Sequence, residues 1–359
     1  MKVFSGLHAK KRFLKAEDIY NLRSPIDHKK LSIEKLIKAS SAHITKAKLI
    51  STSGHAFNVS DGIANFVTKE SVGGEALKAL KYYNGIHKYY DEYLPIAFEL
   101  FNVDELTIRK ELIGRLNLSS HSNVLDLTSG TGEDSTLILE HIPNGKLWMS
   151  DLSKNMLLQA KKKISKINKK NIPTKYLNFD LSGNFPIKSN YFDKVYSFTG
   201  LGGSSNPRKS LSEINRVLKL GGKAVIVEKS APPWMHGTTF NDILINGNPM
   251  FANDIPIDLL PHNISEVSVS WIMQNTFYVI EFTKSKLPDC KFDLPLPGSR
   301  GGSFNSRFFG QIEGVSIQTK NLAIEAIKKS NKSAYEWLDS VISEHAKAQF
   351  KIKKTKSNG

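Results

Sequence analysis

From about residue 120 onward, short apolar runs alternate with amphipathic stretches, and this alternation constrains the fold more than any other feature. NVLDLT (Asn123 to Thr128), KLWMSD (Lys146 to Asp151), TKYLNFD (Thr174 to Asp180), FDKVYSFT (Phe192 to Thr199) and KAVIVEK read as buried strands. The segments between them have helical spacing, as with Leu211, Ile214, Val217 and Leu218 in PRKSLSEINRVLKL, a helix expected to stop at Gly221-Gly222. Strands joined by crossover helices make a parallel sheet covered on both faces. Two further β-rich runs, Val267 to Met273 and Phe277 to Thr283, read as an antiparallel hairpin that closes the sheet. The expected fold is α/β, a doubly wound, seven-stranded, mostly parallel sheet with N-terminal and C-terminal additions. Its expected regions are 1–72, a helical lid over 73–118, the core over 119–283, and a Pro/Gly-rich loop with C-terminal helices over 284–359.

Composition excludes several classes. The only cysteine, Cys290, leaves no internal disulfide and no cysteine-based zinc site. Neither a signal-peptide core nor a membrane-length apolar run appears, so a cytoplasmic protein without membrane contact is expected. The net charge of +16 invites a nucleic-acid reading, yet lysines on helix faces supply most of it and arginines are few.

The first strand ends in an acid and runs into two glycines, VLDLTSGTGEDS from Val124 to Ser135. A phosphate-binding P-loop would need a Gly-Lys-Ser/Thr that is missing. A dinucleotide fingerprint would need a third glycine where Ser135 stands. A third candidate is the S-adenosylmethionine (SAM) turn, which calls for an acid at the end of the first strand, here Asp126, then Gly-x-Gly, then a second acid after the next strand. Over roughly residues 80 to 283 the chain resembles class I SAM-dependent methyltransferases with the Rossmann-like fold, of the ubiquinone/menaquinone-biosynthesis type. VLDLTSGTG, MSDLSKNMLLQAKKK, NFDLSGNFPIKSNYFDKVYS and INRVLKLGGKAVIVE match its motifs in order. Thr128 departs from the pattern by replacing the first glycine of the turn.

The resemblance implies SAM as cofactor, held by Asp126, Thr128, Gly130, Gly132, Asp151, Leu152, Met156, Asp180, Leu181 and Thr199. The chemistry fits: glycines admit close backbone approach, a carboxylate at Asp151 accepts two ribose hydroxyls, and Met156 offers an apolar wall to adenine. In KYYNGIHKYYDEYL a tyrosine of the lid is expected to close over SAM, and Tyr90 is the best match. His236, in PPWMHG just past the fifth strand, is the candidate general base. Arg300 and Arg307 lie in a Gly-rich stretch that reads either as an active-site flap or as a packing loop.

No Asn/Asp-Pro-Pro-Tyr/Phe run follows the fourth strand, and Cys290 lies outside the motifs, which argues against two nucleic-acid methylation chemistries. A second resemblance joins LISTSGHAFNVSDGIANFV to the zinc-ribbon half of certain methyltransferases, with Ile50 and Ser53 at cysteine positions, so no metal is expected. The expectation is therefore methyl transfer to oxygen or nitrogen of a small-molecule or peptide acceptor. The alternatives are an RNA base methyltransferase and a catalytically inactive SAM-binding partner subunit.

Overall fold

A computed structural model describes residues 14–40, 43–67, 74–287 and 315–356. The chain divides into two compact units, Met1–Leu287 and Pro288–Gly359.

The first unit begins with a short helix, α1 (Ala16–Ile19), and four strands, β1 (Leu31–Ser40), β2 (His43–Ser51), β3 (Ala56–Ser60) and β4 (Ile63–Asn65). Consecutive pairs among these run antiparallel. Ala47 and Leu49 of β2 point into the core while Lys46 and Lys48 point away, the period-two pattern of a half-buried strand. Helices α2 (Gly74–Ile86), α3 (Tyr90–Glu99) and α4 (Glu105–Arg115) follow, the last capped by Asp104 accepting from the Thr107 amide at 2.8 Å.

The core then alternates as the pattern predicts: β5 (Asn123–Asp126), α5 (Glu133–His141), β6 (Lys146–Asp151), α6 (Lys154–Ile167), β7 (Thr174–Asn178), β8 (Phe192–Phe198), α7 (Pro207–Val217) and β9 (Leu218–Lys229). After α8 (Thr239–Gly247) come β10 (Ile264–Ile272) and β11 (Phe277–Lys284), the expected antiparallel pair.

Among the described residues one sheet has the order β1-β2-β3-β4-β7-β6-β5-β8-β9-β11-β10. The seven expected strands are contiguous within it, and β5 through β9 run parallel. The sheet nevertheless has eleven strands, not seven. The N-terminal meander joins it because β4 pairs parallel with β7 and covers an edge that would otherwise be open.

Helix α7 also ends earlier than expected. Leu218 already pairs with Phe192, and Gly221, at φ 78°, sits where the pairing of β8 and β9 shifts register. The glycines bend a strand; they do not stop a helix.

The turn likened to a zinc ribbon is closed by hydrogen bonds. The Ser53 hydroxyl donates to Asp27 and lies 3.1 Å from the Ser51 hydroxyl, which accepts the His55 amide at 3.0 Å. The Ser53 bond holds the exposed Asp27 carboxyl down to about 2. Among the described residues no cluster of His, Cys, Asp or Glu is able to hold a metal ion, and no helix is long and apolar enough to cross a membrane.

In the second unit, α9 (Ile317–Ser330) and α10 (Ala334–Lys356) are joined through Asn331 in the left-handed region. Ser333 and Glu336 form the expected capping box, each accepting the other's amide at 3.2 and 2.9 Å.

Candidate functional site

The strand order reverses between β5 and β8, and in a doubly wound sheet the crevice beyond the strand ends at that reversal is the natural binding site. A pocket lies there, lined by Thr128 and Gly130 after β5, Asp151 ending β6, Asp180 after β7, and Phe198 and Thr199 at the end of β8.

Of the expected cofactor residues, Thr128, Gly130, Asp151, Leu152, Met156, Asp180, Leu181 and Thr199 line this pocket together, and Tyr90 roofs it. Gly130 has φ 51°, and a Cβ there would point into open space. The turn thus leaves room for a ligand along its backbone. Asp151 accepts the Gly130 amide at 3.0 Å and the Ser153 amide at 2.8 Å, one on each carboxylate oxygen. Each oxygen keeps a lone pair for a ribose hydroxyl. Burial pushes this carboxyl up to about 6 against the pull of the two amides. These features fit SAM: a diol-accepting carboxylate, a backbone cradle and apolar walls from Leu152 and Met156.

Three expected residues stand apart. Asp126 is fully buried behind the turn, accepts from the Ser135 hydroxyl at 2.5 Å, and does not line the pocket. Burial, with Asp134 close by, pushes Asp126 up to about 8. Gly132, at φ 89°, caps α5 and lies against Met149 and Ala160. Its missing side chain serves helix packing rather than ligand contact. His236 is exposed beyond a 3-10 turn (Pro233–Met235), outside the lining of either cavity, because Trp234 packs edge-on against Trp271 of β10. Arg300, Arg307 and Cys290 lie outside the described residues.

The structure explains how Thr128 fits where the family has glycine. Its hydroxyl lies 3.0 Å from that of Ser197 and 3.2 Å from the Phe198 carbonyl, so its methyl faces Gly200. A Cβ on Gly200 would lie 2.1 Å from the Thr128 methyl. The glycine has in effect moved to the facing strand end. Gly200→Ala should therefore destabilise the unit by about 1–3 kcal/mol through overpacking. Adding Thr128→Gly should recover at least about 1 kcal/mol of that loss. Urea denaturation of the two single variants and the double variant measures the coupling, and strict additivity would refute it.

Sequence reasoning missed several lining residues. Tyr83 joins Tyr90 in the roof, edge-on at 6.1 Å between ring centroids. Burial raises both phenols, Tyr90 to about 12, so both are neutral donors at neutral pH. The helices that carry them are fastened over the pocket: Ser153 donates to Asn84 at 2.7 Å, and Thr131 donates to Asp91, which also pairs with Lys163 at 2.8 Å. Arg109 of α4 reaches the pocket, buried between Asp134 at 2.6 Å and Glu105 at 2.7 Å.

A second cleft of about 1010 Å³ opens beside the first and shares Tyr83, Tyr90, Leu94, Phe198, Thr199 and Met250 with it. Its remaining walls are mostly apolar and aromatic, including Phe98, Met273, Phe277 and the exposed Tyr82 and Tyr93.

The sequence model of the ubiE/COQ5 methyltransferase family matches residues 55–243. A stretch of 147 residues is 29% identical to the ubiquinone/menaquinone biosynthesis C-methyltransferase UbiE of Bordetella parapertussis, covering 36% of this chain and 55% of that protein. Another of 149 residues is 31% identical to the demethylmenaquinone methyltransferase of a Geobacillus species, covering 41% of this chain and 61% of that one. The chain thus spans little more than half the length of these curated relatives. Among solved structures, a SAM-dependent methyltransferase from Aquifex aeolicus is similar at 21% identity and a TM-score of 0.37, covering 49% of this chain and 89% of that one.

Proposed function

Because this chain belongs to the ubiE/COQ5 methyltransferase family and is a SAM-dependent methyltransferase, we propose that its acceptor is an apolar, ring-bearing small molecule bound in the second cleft. The observation that carries this reading is the continuity of two chemically different cavities. One presents a carboxylate and a glycine cradle, and the other presents Phe98, Phe198, Phe277 and a row of tyrosines. They meet at Tyr83, Tyr90, Phe198 and Thr199.

SAM supplies a methyl group on a positively charged sulfur, and the bond to sulfur breaks as the bond to the acceptor forms. What this chain contributes is alignment, because an in-line displacement rewards correct positioning of its two reactants. Asp151 fixes the ribose, Thr199 (φ 56°) turns the end of β8 between the cavities, and the roof formed by Tyr83 and Tyr90 excludes water. The relatives' names include a C-methyltransferase, which supports carbon as the accepting atom over the oxygen or nitrogen expected from sequence.

Mass spectrometry of metabolites and RNA nucleosides from cells with and without this protein tests the reading. A methylated ring compound that disappears with the protein is the expected result. A methylated nucleoside that disappears instead would establish RNA as the acceptor and overturn it. Purified protein that binds SAM yet methylates nothing in cell extract would overturn it in favour of an inactive subunit.

A further inference from the structure

Helix α3 is apolar on two opposite faces. Inward, Tyr90 and Leu94 line both cavities and the buried Phe98 lines the second. Outward, Tyr89, Tyr93, Ile96 and Leu100 are spaced four, three and four residues apart and form a second stripe. All four are exposed, Leu100 at 76%. Single exposed apolar residues are ordinary, but a helix that is apolar all round is normally covered on every side.

The stripe is not a lid face waiting to turn inward, because α3 is tied at both ends. At its start Asp91 accepts from Thr131 and pairs with Lys163 at 2.8 Å. Just past its end the Phe101 carbonyl accepts from the Gln274 side chain at 2.9 Å. Rotating the helix would also pull Phe98 from its stack on Phe198, at 6.2 Å and 14°.

The stripe adjoins the mouth of the second cleft. Tyr82 of α2 and Tyr93 line that cleft, yet both are 62% exposed, so they stand at its opening. Another part of the wall is Gly247, which ends α8. Phe240 and Ile243 precede Gly247 by seven and four residues on the same helical face, and both are exposed. Exposed lysines 78, 81 and 88 lie on or just after α2, while exposed Glu92 and Glu99 flank the stripe on α3.

We infer that this face lies on a lipid bilayer, with Tyr89, Tyr93, Ile96 and Leu100 entering the headgroup region and the second cleft opening toward the lipid. Three observations choose a bilayer over other occupants. Tyrosines beside aliphatic side chains match the membrane interface, where amphipathic rings sit at headgroup level. Because Tyr82 and Tyr93 stand at the mouth, a protein docked here would seal the cleft, whereas a fluid bilayer still lets an apolar molecule enter. The net charge of +16 attracts anionic lipids and opposes a second copy of the chain. The expectation of no membrane contact rested on the length of apolar runs, but a helix lying in the interface needs only an apolar face. This placement uses the acceptor reading above only in taking the cleft as the entrance for an apolar molecule.

Sedimentation of the full chain with phosphatidylcholine vesicles, with and without phosphatidylglycerol, tests the inference. Wild type should bind, more tightly when phosphatidylglycerol is present. Ile96→Ser combined with Leu100→Ser should weaken binding to either vesicle at least about tenfold. Leu36→Ser combined with Ile37→Ser, which alters comparably exposed residues of β1, should leave binding unchanged. SAM affinity, measured by calorimetry, should be the same in all three proteins, which also shows that they are folded.

Absence of vesicle binding by wild type would overturn the inference, as would equal affinity in wild type and the α3 variant. Equal weakening by the β1 pair would mean general stickiness and overturn it as well. A wild-type dimer that the α3 variant dissolves, seen by analytical ultracentrifugation, would assign the face to a second copy instead. Vesicle binding needs no turnover, so binding that depends on Ile96 and Leu100 in a protein that methylates no small molecule upholds this inference and rejects the acceptor reading. Methylation of a ring compound by a protein that binds no vesicle does the reverse.

Discussion

Arg109→Leu is expected to be among the most destabilising single substitutions in the first unit, by about 3–5 kcal/mol, because it leaves a buried carboxylate unpaired. Arg109 is 4% exposed and holds Asp134 at 2.6 Å from beneath the SAM turn. Its guanidinium also lies 5.1 Å from the ring centres of both Phe98 and Phe198. Burial works against its charge, yet Asp134 and Glu105 outweigh burial and hold its pKa above the ordinary value. Asp134 is itself buried, and burial pushes its carboxyl up against the pull of Arg109. Without the arginine, Asp134 must either take up a proton or be exposed by unfolding.

The sign of the pH dependence follows. A carboxyl whose folded-state pKa is raised adds stability at low pH and loses it as pH rises through that value. The defect in Arg109→Leu should therefore be largest at alkaline pH and shrink toward acid. Pairing it with Asp134→Leu should recover most of the loss, since an apolar pair in place of a buried ion pair is often close to neutral. Thermal unfolding without SAM, followed by circular dichroism from pH 5 to 8, separates this effect from cofactor binding. A loss of less than about 1 kcal/mol across that range would mean that the ion pair is only a surface-like contact.

The sequence made the α/β core readable because its signals are local. Each strand from Asn123 to Lys229 is a compact apolar run bounded by turn residues, and each acid at a strand end is visible without knowing its neighbours. The N-terminal strands were less legible. In β1, Leu36 and Ile37 are both exposed and the pairing with β2 shifts register repeatedly, which breaks the alternation that marks a half-buried strand. Partnerships between distant residues were invisible for a different reason. Arg109 and Asp134, Thr128 and Gly200, and Lys229 and Phe277 meet only once the sheet has formed. His236 shows the reverse failure: its chemistry and its place after a strand suggested a base, but packing of Trp234 on β10 carries that loop away from both cavities.

Asp151→Ala should weaken SAM binding by about 2–3 kcal/mol, on the order of 100-fold, since hydrogen bonds to a charged group are stronger than neutral ones. The carboxylate already accepts one amide on each oxygen, so it is fixed in orientation before any ligand arrives. That preorganisation is what makes its removal costly. Burial has raised Asp151 to about 6, so protonation below that pH competes with the acceptance of two ribose hydroxyls. SAM affinity should therefore fall toward tenfold per pH unit once the pH is well below 6. Stability without ligand should move the other way. A raised carboxyl contributes stability below its unfolded pKa and loses it as pH rises through the folded value, here about 6 for Asp151 and about 8 for Asp126. Acidification from pH 8 to 5 should thus let these two groups strengthen the ligand-free fold while weakening its grip on SAM. Calorimetric SAM affinities at pH 5, 6, 7 and 8, beside unfolding curves of the ligand-free protein, give the two slopes. Asp151→Asn should be weak at every pH and flat below 6, because it has no proton to gain. A wild-type affinity unchanged from pH 8 to 5 would mean that Asp151 stays ionised over that range, whereas Asp151→Ala binding SAM as tightly as wild type would exclude it as the ribose-binding carboxylate.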